Sequence, residues 1–428
     1  MIFPKELPVQ IKALRGTRDI LPEECLRWQW LEGAARAIFR TYAYDEIRMP
    51  LLEDLAVFTR AVGETTEIVQ KQMYTFRDRG DRDVCLRPEA TASVVRAYLE
   101  NGLTAAGRQK LYYLGPMFRA ERPQAGRQRQ FHQVGVENIG PSSPYVDAEV
   151  ILLACRFLEA LGIQGYRVLL STLGEAGERS HVAARLREHL EPGLDRLSET
   201  TRATAEQNIF RLLDSKDPDA RELTRSCPGV IEFLSEQSRT RFESVRKILD
   251  QNGVRYEVDP YLVRGLDYYS HTVFEITHSA LGAQDALGAG GRYDGLIAQL
   301  GGPETEAVGF AMGVERLFLA AEAETSLTDA GRFLVFVVAA DESAVPKAFE
   351  WVQALRSDGI PADWDCTGKN LKAQMKQANR RNASWVLILG ERELSGNSLT
   401  VKDMATGEQE SMDADRILGW AKAQFADE

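Results

Sequence analysis

The chain reads as an α+β protein: a strand-rich core, a helical insertion and a small C-terminal α/β domain. Three observations carry that reading. Strand-like segments come in neighbouring pairs, as in "KLYYLGPMF" and "QFHQVGVENI", which a basic loop joins. The run from about Gly174 to Gln251 turns charged and helical in period, as in "HVAARLREHLEPGLDRL". Beyond the linker-like "ETSLTDAG", Glu324 to Gly331, strands and helices alternate as in βαβ units on a mixed sheet. The expected domains are residues 1–325, with the insertion at about 174–251, and residues 332–428.

Near the start of the chain, Pro22 suits the first turn of a helix, and Leu26, Trp30, Ala34, Ile38 and Phe39 give that helix an apolar face. "DEIRMPLLED" is extended and interrupted by Pro50. "DVCLRPEATASVVRAYLE" is a strand, a proline turn and a helix. Past the insertion, "VRYEVDPYLVRGLDYYSHTVFEIT" carries strand signals again. "AVGFAMGVERLFLAAEAE" is a glycine-spaced strand running into a helix. In the last domain, Phe333 to Ala340 is a buried strand. After it come a helix, a short strand, a basic helix, the strands "WVLIL" and "SLTVKD" and an amphipathic helix.

Composition bounds the function. The 428 residues are 44% hydrophobic and 27% charged, an ordinary globular balance. A net charge of −11 argues against a general nucleic-acid-coating protein, though not against a grip through local basic patches. No apolar run is long enough to span a bilayer, and the opening residues carry no signal-peptide pattern. The five cysteines are scattered, without CxxC spacing, so the expectation is a reduced, soluble, cytoplasmic protein.

Two basic patches stand out. Between Arg108 and Gln133 lie Arg108, Lys110, Arg119, Arg122, Arg127 and Arg129, against Glu121 alone. Arginines on a loop between apolar strands suit bidentate phosphate contacts; a solvated basic surface is the other reading. In "KNLKAQMKQANRR", Lys369, Lys372, Lys376 and Arg380 share one helical face, and Leu371, Met375 and Ala378 another. Taken alone this is a solvated helix face; nucleic-acid contact is the sharper alternative. Singly, Glu89, Gln133, Glu137 and His132 read as structural groups, and the histidines show no metal spacing. Arg264, in "LVRGLDYYSH", poses a question of its own: a guanidinium there needs an internal carboxylate or an anionic ligand.

These residues resemble a known family. "MFRAERPQAGRQRQFHQVGVE" is similar to motif 2 of class II aminoacyl-tRNA synthetases, "GFAMGVERL" to motif 3, and "YAYDEIRMPLLED" to the dimer-forming motif 1. "LVRGLDYY" and "GGRYDGL" resemble the two signatures peculiar to histidyl-tRNA synthetases. The resemblance spans nearly the whole chain. It implies an antiparallel-sheet catalytic core, a helical insertion and an α/β anticodon-binding domain, in a homodimer. It implies that histidine and ATP form histidyl-adenylate, whose histidyl group passes to the 3′ end of a histidine tRNA. Arg264 and Arg119 would be the catalytic arginines, and Arg119, Glu121, Arg127, Phe131 and Arg316 would bind ATP, with Mg²⁺ on its phosphates. Glu89, Thr91, Gln133, Glu137, Tyr269 and Tyr293 would hold histidine. Arg15 and Gln124 would lie near the extra 5′ nucleotide of the tRNA, and Lys369, Lys372, Lys376 and Arg380 would face its anticodon arm. No protein metal motif is implied.

Departures from the family pattern are small. Ala120 stands where larger residues are frequent, His271 where arginine is frequent, and Ala289 where glycine is common. His271 is expected to alter a local ion pair. Three rival readings compete with the resemblance. The synthetase-like regulatory subunit of ATP phosphoribosyltransferase lacks the last domain and has lost site residues that this chain keeps. A prolyl or threonyl synthetase would lack the "RGLDYY" and "GGRYD" pair. A plain RNA-binding module would not need the ATP-shaped arginine set.

Overall fold

The computed structural model describes residues 11–63, 66, 68–124, 126–140, 142–215, 217–225, 227–263, 268–282, 285–324 and 333–426. The chain divides into two compact units, Met1–Leu327 and Thr328–Glu428.

The first unit opens with α1 (Pro22–Thr41), β1 (Asp45–Glu46), β2 (Leu52–Asp54) and α2 (Leu55–Val62). Then come β3 (Tyr74–Arg77), β4 (Asp83–Leu86), α3 (Thr91–Glu100), β5 (Gln109–Phe118), β6 (Gln130–Ile139), α4 (Pro144–Ala160) and β7 (Tyr166–Thr172). Next are the helices α5 (Arg179–Leu190), α6 (Glu199–Gln207), α7 (Pro218–Arg225) and α8 (Glu236–Gln251). The unit closes with β8 (Tyr256–Val258), β9 (Ser270–His278), β10 (Ala286–Arg292), α9 (Leu296–Gln299), β11 (Ala307–Gly313) and α10 (Val314–Glu324).

Eight strands form one sheet in the order β1-β5-β6-β11-β10-β9-β7-β8. Its pairings are antiparallel except at the two ends, where β1 on β5 and β8 on β7 are parallel. Successive side chains on a strand point to opposite faces, and that sorts this sheet. Val134, Val136, Val308, Phe310, Met312, Phe274 and Ile276 pack on one side with α1, α4, α8 and α10. On β6, the alternate residues Phe131, Gln133, Gly135 and Glu137 therefore face the other side, where Tyr113, Met117 and Tyr293 pack with α2 and α3.

Three details differ from the sequence reading. On α1 the buried stripe is Trp28, Leu31, Ala35 and Phe39, and Trp30 is exposed, because the face that meets the sheet is rotated from the one Trp30 suggested. The charged run at 174–251 divides in two. Its first part has its own core of Val182, Leu186, Leu190, Ile209, Leu212, Val230 and Leu234. Its last helix, α8, puts Phe242, Val245, Ile248 and Leu249 into the main core, so that helix belongs to the sheet's helical layer. Finally, Arg108 and Lys110 sit at the far end of the β5–β6 ribbon from its loop. There they pair with Glu149 at 3.0 and 2.7 Å and are not part of the loop's basic cluster.

The second unit runs β12 (Val335–Ala339), α11 (Val345–Ser357), β13 (Ala362–Trp364), α12 (Leu371–Arg380), β14 (Trp385–Leu389), α13 (Glu391–Ser395), β15 (Ser398–Asp403), β16 (Gln409–Asp413) and α14 (Ala414–Ala426). Its sheet is mixed, in the order β13-β12-β14-β15-β16, with β13 and β14 parallel to β12 and the rest antiparallel. The sequence reading misses β16 because this edge strand is polar and largely exposed, so it lacks the apolar alternation that marks a half-buried strand.

Candidate active site

Against the open face of the large sheet lies a cavity of about 580 Å³. Its lining brings together Glu89, Thr91, Arg119, Glu121, Arg127, Phe131, Gln133, Glu137, Tyr269, Tyr293 and Arg316. These are distant in sequence and reach one space through strand alternation and the turns at strand ends. Arg264 lies outside the described residues. Arg15 and Gln124 are exposed and do not line the cavity. Both lie by the β5–β6 loop: the Gly16 carbonyl accepts from the Arg129 N–H at 2.8 Å, and Gln124 pairs with Arg127 through their backbones.

One end is built around Glu137, 1% exposed. Thr91 Oγ1 donates to its Oε1 at 2.7 Å and the Tyr293 hydroxyl to its Oε2. Burial pushes the carboxyl up to about 8, while the bonds from Tyr293 and Thr91 hold it down. Glycine makes the space. A Cβ on Gly309 would stand 2.0 Å from Glu137 Oε2, and one on Gly135 would stand 2.3 Å from the Tyr113 hydroxyl. Beside Glu137, the Glu89 carboxylate closes the N-terminus of α3, accepting from the Thr91 and Ala92 N–H groups at 2.7 and 3.0 Å. Burial raises its pKa as well, against those backbone bonds and the nearby charge of Arg119. Two buried polar atoms at this end, the Tyr113 hydroxyl and Gln133 Oε1, have no hydrogen-bond partner among the described residues. Such atoms are costly unless a ligand satisfies them.

The other end is cationic. Arg119 donates through Nε to the Pro88 carbonyl at 2.9 Å, and its guanidinium lies 5.1 Å from the Phe131 ring centroid. Burial lowers its pKa to about 10, with Glu89 opposing the fall, so it stays charged at neutral pH. Arg316 is held by the Gly126 carbonyl at 3.3 Å and the Ala286 carbonyl at 2.5 Å. Arg127 pairs with Glu121. Glu315 ties α10 to β6: both its oxygens accept from the His132 N–H, and Oε1 meets His132 Nδ1 at 2.9 Å. His132 is thus a structural histidine.

Sequence reasoning missed Tyr113 and Arg87 beside the site. It also missed Asp214 and Arg221, which bring the helical insertion to the cavity wall. Strand alternation from Met117 could have placed Tyr113 on the open face. No local pattern marks the insertion residues. His271 lies in the left-handed region at φ 45°. Burial, then the charges of Arg241 and Arg292, depress its pKa to about 4. Being neutral at pH 7, it leaves the neighbouring Asp147–Arg292 pair in place, with Arg292 Nε 2.9 Å from Asp147 Oδ1.

In the second unit, Lys369, Lys372, Lys376 and Arg380 are all exposed on or just before α12. Ala378 is buried and Met375 packs against the sheet, but Leu371 is 39% exposed. The first turn of α12 buries Gln374 in its place, and the Gln374 amide donates to the Ala339 carbonyl at 2.8 Å.

The chain matches two family models, "Histidyl-tRNA synthetase" over residues 16–317 and "Anticodon binding domain" over residues 334–424. It is 46% identical over 413 residues to the histidine–tRNA ligase of Anoxybacillus flavithermus, covering 95% of this chain and 98% of that one. Among solved structures it is similar to the apo histidyl-tRNA synthetase of S. aureus, with a TM-score of 0.82, 36% identity and coverage of 96% of this chain and 100% of that one. A Bacillus halodurans protein, described as an ATP phosphoribosyltransferase regulatory subunit/histidyl-tRNA synthetase, shares the fold at 22% identity and a TM-score of 0.66, over 91% of this chain and 99% of that one. With a family model covering most of its length and relatives this similar end to end, the chain belongs to the histidyl-tRNA synthetase family.

Proposed function

We propose that the cavity is where this chain activates histidine with ATP and from which it charges tRNA with histidine. One observation carries the reading: a buried acid-and-tyrosine end and an arginine end share a single cavity. Glu137 and Tyr269, with Tyr293 lining the pocket, suit an imidazole, whose two nitrogens need distinct partners, and Thr91 lies between that end and Glu89, bonded to both. Glu89 and Gln133 suit the α-amino and carboxylate end. The histidine carboxylate is already an anion, so its attack on the α-phosphorus needs no enzyme nucleophile. It needs in-line placement and fixed positive charge on the equatorial oxygens. Arg119 supplies such charge, and Arg264 is assigned the same task from its place in the family signature. Arg316 and Arg127 take the outer phosphates, and Phe131 stacks on the adenine, with Glu121 beside it. Mg²⁺ would ride on the phosphates. The cavity wall offers the oxygen donors it favours in Glu275 and Asp285, and no group of three or more metal-binding side chains occurs among the described residues.

The tRNA reading extends to Arg15 and Gln124 by the β5–β6 loop and to the basic face of α12. A homodimer fits the small sheet β2-β4-β3, in which Leu52 and Phe76 are 51% and 46% exposed beside Leu51. An apolar face of this kind suits a subunit contact. Protein synthesis places the enzyme in the cytoplasm, and free thiols at all five cysteines suit that compartment. No described helix is long and apolar enough to cross a membrane.

The test is ATP–pyrophosphate exchange without tRNA, run with each of the twenty amino acids. Histidine alone should drive exchange, and Arg264→Ala should lower it by at least about a hundredfold. Absence of histidine-driven exchange in the wild type would refute the reading.

A further inference from the structure

We infer that Arg87 is a positioning residue that sets the two ends of the active site relative to each other while touching neither substrate. This rests on the histidine-activation reading above. Arg87 comes directly after β4 and is 4% exposed. An arginine so buried ordinarily has a carboxylate partner. Among the described residues none stands within ion-pair distance. Its donors go to backbone carbonyls instead: Nε to Pro116 at 3.0 Å, and Nη1 to Met49 at 2.9 Å and Pro50 at 3.4 Å. Its backbone adds two more bonds. The Arg87 N–H donates to the Leu51 carbonyl at 3.0 Å, and its carbonyl accepts from the Phe118 N–H at 3.0 Å. One residue thus joins three segments: 49–51 before β2, 116–118 at the end of β5, and the end of β4.

The residues just beyond Arg87 in the chain build the site itself. The Pro88 carbonyl accepts from Arg119 Nε, Glu89 closes α3, and Thr91 donates to Glu137. A shift of Arg87 therefore moves the Arg119 anchor and the Glu89 carboxylate together. A planar guanidinium can serve diverging carbonyls at fixed angles; a lysine ammonium cannot hold the same plane. The fit is close: a Cβ on Gly115 would lie 2.7 Å from Arg87 Nη2.

The test uses Arg87→Lys and, separately, Gly115→Ala, which keeps the arginine but displaces its fork. The wild type must first show histidine-dependent exchange; a failure there concerns the function, not this inference. With that in hand, KM for histidine and KM for ATP should rise together by about tenfold in both variants, with the titrated number of active sites per chain unchanged. A residue that only supports the fold would lower the active fraction and leave both KM values alone. Gly115→Ala also carries the test should Arg87→Lys fail to fold. Both KM values within about twofold of wild type in Gly115→Ala would overturn the inference.

Discussion

At the scale of single residues, the cavity buries polar groups that, on the proposed reading, a correct ligand satisfies. Glu137 already accepts from Thr91 and Tyr293, and burial lifts its pKa to about 8. On the proposed reading, a bound histidine adds an N–H donor and should draw the proton off. Glu137→Gln swaps an acceptor oxygen for an amide that also donates. It should lower kcat/KM for histidine by about a hundredfold and leave KM for ATP within about threefold, as measured by exchange kinetics. His271 makes a different prediction. Its pKa is about 4 folded and about 6.5 in an unfolded chain, so the unfolded chain binds the proton first as pH falls. The stability it contributes is fully present above about pH 6.5 and is lost on descent toward pH 4. His271→Asn, which tolerates a positive φ, should flatten that part of the curve of stability against pH, read by urea unfolding from pH 7 to 4. An unchanged slope would show that His271 is not the titrating group.

Among the elements, the β5–β6 ribbon and α12 show two ways of presenting charge. The ribbon is anchored at both ends, by Glu149 on Arg108 and Lys110 and by Gly16 under the loop, so Arg119 and Arg127 face the cavity from a fixed base. On α12 the cations line an exposed face, seated by Gln374 and Ala378 beneath. Reversing Lys372 and Lys376 to Glu should weaken tRNA charging about tenfold or more at low salt and leave ATP–pyrophosphate exchange untouched. Equal losses in both assays would mean that the face is not a nucleic-acid contact. The Asn370 side chain caps this helix through the Ala373 N–H at 3.0 Å and is left intact in that variant.

For the whole molecule, the question is assembly. The face carrying Leu52 and Phe76 is joined through Leu51 to Arg87, and so to the residues proposed to hold both substrates. If the chain is the homodimer proposed above, the double variant Leu52→Asp with Phe76→Asp should shift it from dimer to monomer in sedimentation velocity and reduce exchange activity with it; a wild type that sediments as a monomer would refute the dimer itself. A variant that stays dimeric would place the subunit contact elsewhere. Overall charge says little about partners: the chain carries −11, and residues 332–428 hold 12 Lys+Arg against 15 Asp+Glu, or −3. Any grip on tRNA must therefore come from local patches, such as the one proposed on α12.

The sequence by itself determined the α+β class, the βαβ pattern of the last unit, the paired strands around the basic loop and most of the residue types that line the cavity. Those are local properties: periodicity, glycine and proline punctuation, and short motifs each lie within some twenty residues. Only the tertiary structure decided which charges converge. It separated Arg108 and Lys110 from the loop cluster, moved α8 from the insertion into the main core, and turned Trp30 outward. It also brought Asp214 and Arg221 to the cavity and made Arg87 a junction of three segments. A strand's alternation tells which residues share a face. Which face meets a helix layer and which meets a ligand depends on pairings between residues far apart in the chain, and those are settled only when the sheet closes.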